Sequence, residues 1–329
     1  MKPIVLRTDK GMEVLKTQLH ELEKIATVVT APSDDEETLV AMVKDAELLM
    51  VSGARITRRI FEAGTKLKGL LKWGVGTDSL DLEAATELGI PVVHCPHYGP
   101  QSIADFSFAM MIALAKKLPL IDRDMRAKGW MYPVGEAYQQ IDLPGKTVGL
   151  IGFGRIGQIM GKRCLGFDMN VIVYDPYLDP ADHPHVTFVD LETLLRTSDF
   201  ISIHVVLTPE NTGMIGAEAF AMMKRNVIIT NTARGAVFDE DAFIEALKTR
   251  RILGAGLDVF CDEPLDLMNP FLALDNVIVA PHFASYTKEA YQQLDANALA
   301  KAKAILNCQP LWDVKNRGVQ IRWQVEGAQ

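Results

Sequence analysis

At 329 residues, 48% hydrophobic and 23% charged, the chain is longer than one hydrophobic core usually serves and too apolar for disorder, so two folded domains are expected. A formal net charge of -8 argues against nucleic acid or an anionic membrane surface as partner, since either needs a basic face. Cys95, Cys164, Cys261 and Cys308 stand far apart with no CxxC pair and no histidines at ligand spacing, so no metal site or disulfide frame is read; the longest apolar run, Phe108 to Ala115, is too short to span a bilayer, and a cytoplasmic setting is the expectation.

Short apolar runs at Ile4-Val5-Leu6, Thr27-Val28-Val29, Leu48-Leu49-Met50-Val51 and Val92-Val93 alternate with helical patterns such as Asp35 to Val43. Parallel strands need crossover connections, so this rhythm predicts a doubly wound parallel sheet with helices on both faces. Arg55, Arg58, Arg59, Lys66 and Lys68 are read as solvated helix and turn positions rather than an anion site. A helical run rich in Ala, Met, Ile and Leu covers Ser102 to Leu118, and the polar stretch Asp122 to Lys146, with Gly129, Pro133, Gly135 and Pro144, reads as an extended arm or long loop.

A stronger strand series follows: Val148 to Ile151, Val171 to Tyr174, Phe200 to Ile203, Val227 to Thr230, Ile252 to Gly254 and Val277 to Ala280. Helices between them carry capping signals, Asp190 before Leu191 to Arg196 and Asp239 to Asp241 before Ala242 to Leu247. The second domain therefore reads as Rossmann-type, and the fold class as α/β with two doubly wound parallel-sheet domains.

Gly152-Phe153-Gly154-Arg155-Ile156-Gly157 fits GxGxxG, a weak pattern alone, but here an apolar strand precedes it and an amphipathic helix follows. Gly152 suits a tight turn, Gly154 a close backbone approach to a pyrophosphate, and Gly157 close packing of helix on strand, while the helix N-terminus offers free N–H groups to phosphate. Asp175 ends the next strand, where a carboxylate can accept from ribose hydroxyls and repel a 2′-phosphate; Pro176 and Tyr177 follow it, with no arginine, so NAD is favoured over NADP.

Three more residues stand at expected strand ends: Arg234, Glu263 and His282. Reduction of a keto acid needs a cation for the carboxylate, a proton donor for the carbonyl oxygen and a group that keeps that donor charged. The planar fork of Arg234 suits the first task, imidazole at His282 the second, and Glu263 is the candidate neighbour for the third. His204 is a rival donor, read as lining the cofactor side; His94, His97, His183 and His185 are set aside as lacking a strand-end context or lying in loops.

Gly74-Val75-Gly76-Thr77-Asp78, Gly152 to Gly157 with Asp175, His204, Asn231 to Gly235, Gly256 to Phe260, Glu263-Pro264 and Pro281-His282 together resemble the D-isomer-specific 2-hydroxyacid dehydrogenase family over nearly the whole chain. The resemblance implies a Rossmann-type NAD domain, 98–287, inserted into a flavodoxin-like substrate domain, 1–97 plus 288–329, with Arg234, Glu263 and His282 catalytic. It further implies NAD contacts at Gly152, Gly154, Arg155, Ile156, Gly157, Asp175, His204, Thr232, Ala233 and Asp258, the last beside the nicotinamide carboxamide. Substrate contacts are implied at Ser52, at the Val75 and Gly76 amides and at Arg234, and the arm Asp122 to Lys146 is expected to make a homodimer.

Two departures bear on substrate. Phosphoglycerate dehydrogenases of this family place an arginine just after the third strand, where this chain has Val51, and the family's Asn-x-Pro segment here reads His94-Cys95-Pro96, with His97 and Tyr98 as pocket candidates. A small unphosphorylated 2-hydroxy or 2-keto acid is therefore the expected substrate, D-3-phosphoglycerate the main alternative and an NAD-sensing, corepressor-like binding protein a third. With the chain ending at Gln329, no regulatory domain and no serine feedback are expected.

Overall fold

A computed structural model describes residues 2–8, 16–130, 132 and 135–326. The chain divides into two compact units, Met1–Gly99 with Thr287–Gln329, and Pro100–Tyr286.

The discontinuous unit holds a five-stranded sheet of β1 (Ile4–Arg7), β2 (Thr27–Thr30), β3 (Leu48–Val51), β4 (Gly69–Lys72) and β5 (Val92–His94), every pair parallel, in the order β2-β1-β3-β4-β5. This is the flavodoxin-like order. Helix Glu36–Val43 begins where expected because the Asp35 carboxylate accepts from the Thr38 N–H, a cap that contributes about 1 kcal/mol. One face of the sheet buries Leu6, Leu49, Val51, Leu70 and Val92 under the helices between strands; the other buries Val5, Leu48, Met50, Leu71 and Val93 against helix Lys288–Leu306.

The inserted unit holds seven parallel strands, β6 (Thr147–Ile151), β7 (Asn170–Tyr174), β8 (Thr187–Phe188), β9 (Phe200–Ile203), β10 (Ile228–Asn231), β11 (Gly254–Leu257) and β12 (Val277–Val279), in the order β12-β11-β10-β9-β6-β7-β8. It is the Rossmann order with one strand added. Ile151, Ile201, Ile203 and Ile229 face one core, while Val148, Leu150, Phe200 and Ile228 face the other, so both faces are covered and the strands read as unbroken apolar runs. The reversal of strand order falls between β6 and β9, which are neighbours although the chain between them builds β7 and β8.

Four sequence expectations shift. The strand read at Ile252 to Gly254 is Gly254–Leu257, because packing against helix Pro100–Ala115 admits no side chain at Gly256: a Cβ there would stand 2.7 Å from Met110 Cβ. That strand therefore carries few apolar letters. Strand β4 went unread for a related reason, since it is bounded by Gly69 and by the buried Lys72.

The stretch 122–146, read as arm or loop, begins inside helix Leu118–Lys128, whose (i, i+4) pairs Asp122–Arg126 and Asp124–Lys128 each close at 2.9 Å; Pro133 lies outside the described residues. His94, set aside as lacking a strand end, is the last residue of β5. Arg58, Arg59, Lys66 and Lys68 do sit in solvated ion pairs, with Glu87, Glu36 and Glu37, Asp45 and Glu47.

Candidate active site

Parallel strands put all their carboxyl ends on one edge, and in the inserted unit the predicted site residues gather there. The β6 turn is closed by His204 N–H donating to the Ile151 carbonyl at 2.7 Å, which draws the chain leaving β9 across Gly152. Gly152 has φ +89°, and a Cβ on it would lie 2.8 Å from the His204 carbonyl carbon; one on Gly157 would lie 2.3 Å from the Gly152 oxygen. Both glycines are required by close backbone approach. Helix Arg155–Leu165 starts at this turn, with Gly154 as its N-cap.

Asp175, directly after β7, reaches back to the same turn: one carboxylate oxygen accepts from the Phe153 N–H at 2.8 Å, the other from the Tyr177 N–H at 3.0 Å. Each oxygen keeps acceptor capacity for a further donor. Two features fit a dinucleotide. A Cβ at Gly154 would meet nothing within 4 Å, so the turn is open where a pyrophosphate would approach, and the Thr232 hydroxyl is buried with no hydrogen-bond partner among the described residues.

His204 Nε2 lies 2.9 Å from the Ser202 hydroxyl, which joins Ser107 and Thr230 in a buried hydroxyl cluster with separations of 2.9 to 3.0 Å. Burial pushes the His204 imidazole down to about 3. It stays neutral near pH 7 and makes a poor rival for the proton donor.

Arg234, Glu263 and His282 follow β10, β11 and β12, three adjacent strands. His282 Nδ1 is 2.8 Å from Glu263 Oε2, and Glu263 Oε1 accepts from the Phe260 N–H at 3.0 Å. Burial by itself raises the Glu263 carboxyl, but the His282 hydrogen bond and charge, the Phe260 N–H and the Arg234 charge outweigh it, leaving a net lowering and an ionised group. Arg234 is half-buried, its Nη1 donating to the Ala233 carbonyl at 2.6 Å, and Asn231 braces the loop by accepting from Ala233 N–H and donating to the Arg234 carbonyl.

Asp258, expected beside the nicotinamide, is wholly buried, and its two carboxylate oxygens accept from the Phe283 and Ala284 N–H groups at 2.7 and 2.8 Å. Its carbonyl accepts from His282 N–H at 2.8 Å, and His282 itself has φ +59°. Asp258 thus shapes the turn that presents the imidazole. A carboxylate at the end of a glycine-rich segment was the available signal, but a partner more than twenty residues on is not legible in one sequence.

In the discontinuous unit, Ser52 follows β3, while Val75 and Gly76 follow β4, again at carboxyl ends. Gly74 O accepts from Cys95 N–H at 2.8 Å and the Val75 carbonyl meets His94 Nδ1 at 3.0 Å, whereas the Val75 and Gly76 N–H groups have no acceptor among the described residues. Two adjacent N–H groups without a protein acceptor can receive an anion. Val51, which stands at the position expected for a phosphate-binding arginine, is fully buried, and Arg55 is exposed.

Residues 108–284 match the model of the D-isomer specific 2-hydroxyacid dehydrogenase NAD binding domain. The chain belongs to the D-isomer specific 2-hydroxyacid dehydrogenase family. Within that family it is 41% identical over 297 residues to a D-3-phosphoglycerate dehydrogenase of Methanocaldococcus jannaschii, covering 88% of this chain and 56% of the relative; the chain thus spans about half of that protein's length. It is 38% identical to a hydroxypyruvate reductase of Thermotoga maritima, covering 89% of this chain and 94% of the relative. The structure of D-lactate dehydrogenase from Aquifex aeolicus, complexed with NAD and lactic acid, superimposes with a TM-score of 0.85 at 30% identity over 95% of this chain and 97% of that one. NAD is the cofactor of the family's inserted domain, and the open glycine turn and Asp175 agree with it.

Proposed function

We propose that this chain is an NAD-dependent oxidoreductase that moves a hydride between nicotinamide and C2 of a small, unphosphorylated D-2-hydroxy or 2-keto acid. The observation that carries the reading is the 2.8 Å contact of His282 with an ionised Glu263, one strand from Arg234. Gly152 to Gly157, Asp175, His204, Thr232, Ala233 and Asp258 are the residues proposed to hold the dinucleotide. When bound, NADH supplies the hydride to C2.

The residues of the chain do the rest. Arg234 holds the acid's carboxylate and polarises the neighbouring carbonyl; in the discontinuous unit, Ser52 and the Val75 and Gly76 amides are the proposed substrate contacts. Glu263 fixes a proton of the imidazole on Nδ1, so Nε2 is the atom that gives a proton to the keto oxygen and recovers it in the reverse direction. A homodimer is part of the reading, supported by Trp130 and Tyr132, each 80% exposed next to helix Leu118–Lys128.

The test is loss of NADH absorbance with glyoxylate, pyruvate, hydroxypyruvate, 2-ketogluconate and 3-phosphohydroxypyruvate. Turnover of the unphosphorylated acids is expected, in keeping with the resemblance to a hydroxypyruvate reductase and with the apolar Val51. A second reading, D-3-phosphoglycerate dehydrogenase, is favoured by the 41% identity to that enzyme, and dominant turnover of 3-phosphohydroxypyruvate would establish it in place of the first. No turnover of any acid would overturn both.

A further inference from the structure

We propose that His94 is a positioning residue for the substrate: its Nδ1–H, donated to the Val75 carbonyl, sets the turn whose Val75 and Gly76 amides receive the substrate carboxylate. This rests on the functional reading above and adds to it the group that makes the carboxylate receptor rigid. Val75, at the crest of the turn between the buried Gly74 and Thr77, is 42% exposed, so its own side chain does not anchor it. The carbonyls of the turn do: Gly74 O is taken by Cys95 N–H at 2.8 Å and Val75 O by the His94 ring at 3.0 Å, both from the end of β5. With both oxygens tied to β5, the next two N–H groups are left without acceptors.

His94 is itself fixed on both sides of its backbone. Its N–H donates to the Asp313 carbonyl at 3.2 Å, and its carbonyl accepts from Lys301 Nζ at 2.5 Å. Lys301 is 1% exposed and paired with the Asp313 carboxylate at 2.7 Å, so the strut is anchored in the C-terminal helix and the segment after it. Burial, the largest influence on the ring, lowers its pKa, with the nearby Lys315 and Lys301 charges adding to this and the Val75 bond and Asp313 opposing. A neutral imidazole has one N–H, and the facing carbonyl places it on Nδ1.

Asparagine carries its amide N–H where histidine carries Nδ1, so His94→Asn keeps the donor and His94→Leu removes it. The experiment measures KM and kcat for the best 2-keto acid, together with NADH affinity, in the full chain and both variants. His94→Leu is expected to raise KM about five- to tenfold, the equivalent of one lost hydrogen bond, with kcat and NADH affinity within about twofold, and His94→Asn to restore KM. The proposal is overturned if KM in the leucine variant stays within twofold of wild type. It is equally overturned if asparagine fails to rescue, or if KM, kcat and NADH affinity fall together as general damage would make them. A wild-type chain that turns over no acid removes the functional reading itself, an outcome distinct from an active enzyme indifferent to residue 94.

Discussion

Gly235 lies against Phe260 so closely that a Cβ on it would stand 2.0 Å from the Phe260 carbonyl carbon. That contact seats the loop bearing Arg234 on the segment that leads to Glu263, and the Arg234 charge is among the influences that lower the Glu263 carboxyl. Backbone cannot yield as a flexible side chain can. Gly235→Ala is expected to cost about 1–3 kcal/mol in denaturant unfolding through overpacking. It should also cut kcat/KM by about tenfold or more, since small displacements of catalytic groups are costly. A variant that loses stability yet keeps wild-type kcat/KM would show that the contact does not govern the placement of Arg234.

Glu263→Gln keeps the shape of the side chain that meets His282 Nδ1 and removes its charge. Glu263 has a lowered pKa, so it is ionised at neutral pH, and its support of a charged imidazole is lost only as pH falls through that lowered value. The substitution removes that charge at neutral pH, so kcat/KM in the reducing direction should fall about tenfold or more at pH 7. The difference between the two proteins should shrink only as pH falls through the lowered Glu263 value, where wild type loses the charge as well. Equal kcat/KM at pH 7 would remove Glu263 from the role proposed for it.

Asp258 predicts a different pattern. Both its oxygens accept N–H groups of the turn after His282, so Asp258→Asn turns one acceptor into a donor that faces the Phe283 or Ala284 N–H. Loss of one such bond in a buried setting is expected to cost about 1–3 kcal/mol. Because the displaced turn carries His282, kcat should fall with little change in KM. Equal kcat in the two proteins would show that the imidazole is placed without the Asp258 carboxylate.

The fold was legible where strands are buried on both faces, because such strands are written as apolar runs: Leu48–Val51 and Phe200–Ile203 appear in the structure with the bounds read from sequence. It was least legible where packing demands the absence of side chains. Strand Gly254–Leu257 contains two glycines because Met110 and the Asn276 carbonyl crowd it, and a glycine carries no periodic signal. The strand-end positions of Arg234, Glu263 and His282 followed from that same strand order. What a single sequence lacked was pairing between distant residues, such as Asp258 with the Phe283 and Ala284 amides or His94 with Val75, since each joins segments separated by a whole crossover.

Asp295 gives a stability prediction with a definite sign. It is 9% exposed in helix Lys288–Leu306, beside a small cavity lined by Leu22, Met50 and Ala298, and its Oδ1 has no hydrogen-bond partner among the described residues. Burial raises its carboxyl to about 6, against a lowering contribution from the Trp73 indole. The folded chain therefore keeps a proton that the unfolded chain has already released near the reference value of about 3.9, so stability falls as pH rises between those two values. The cost at pH 7 is about 3 kcal/mol. Asp295→Asn, neutral throughout, should match wild type near pH 4 and exceed it by that amount at pH 7, measured by urea unfolding at both pH values. Arg7 lines the same cavity. If its guanidinium offsets the burial of the carboxylate, the asparagine variant will instead be the less stable protein at pH 7, and Asp295 will count as half of a buried ion pair rather than as a strained, proton-holding acid.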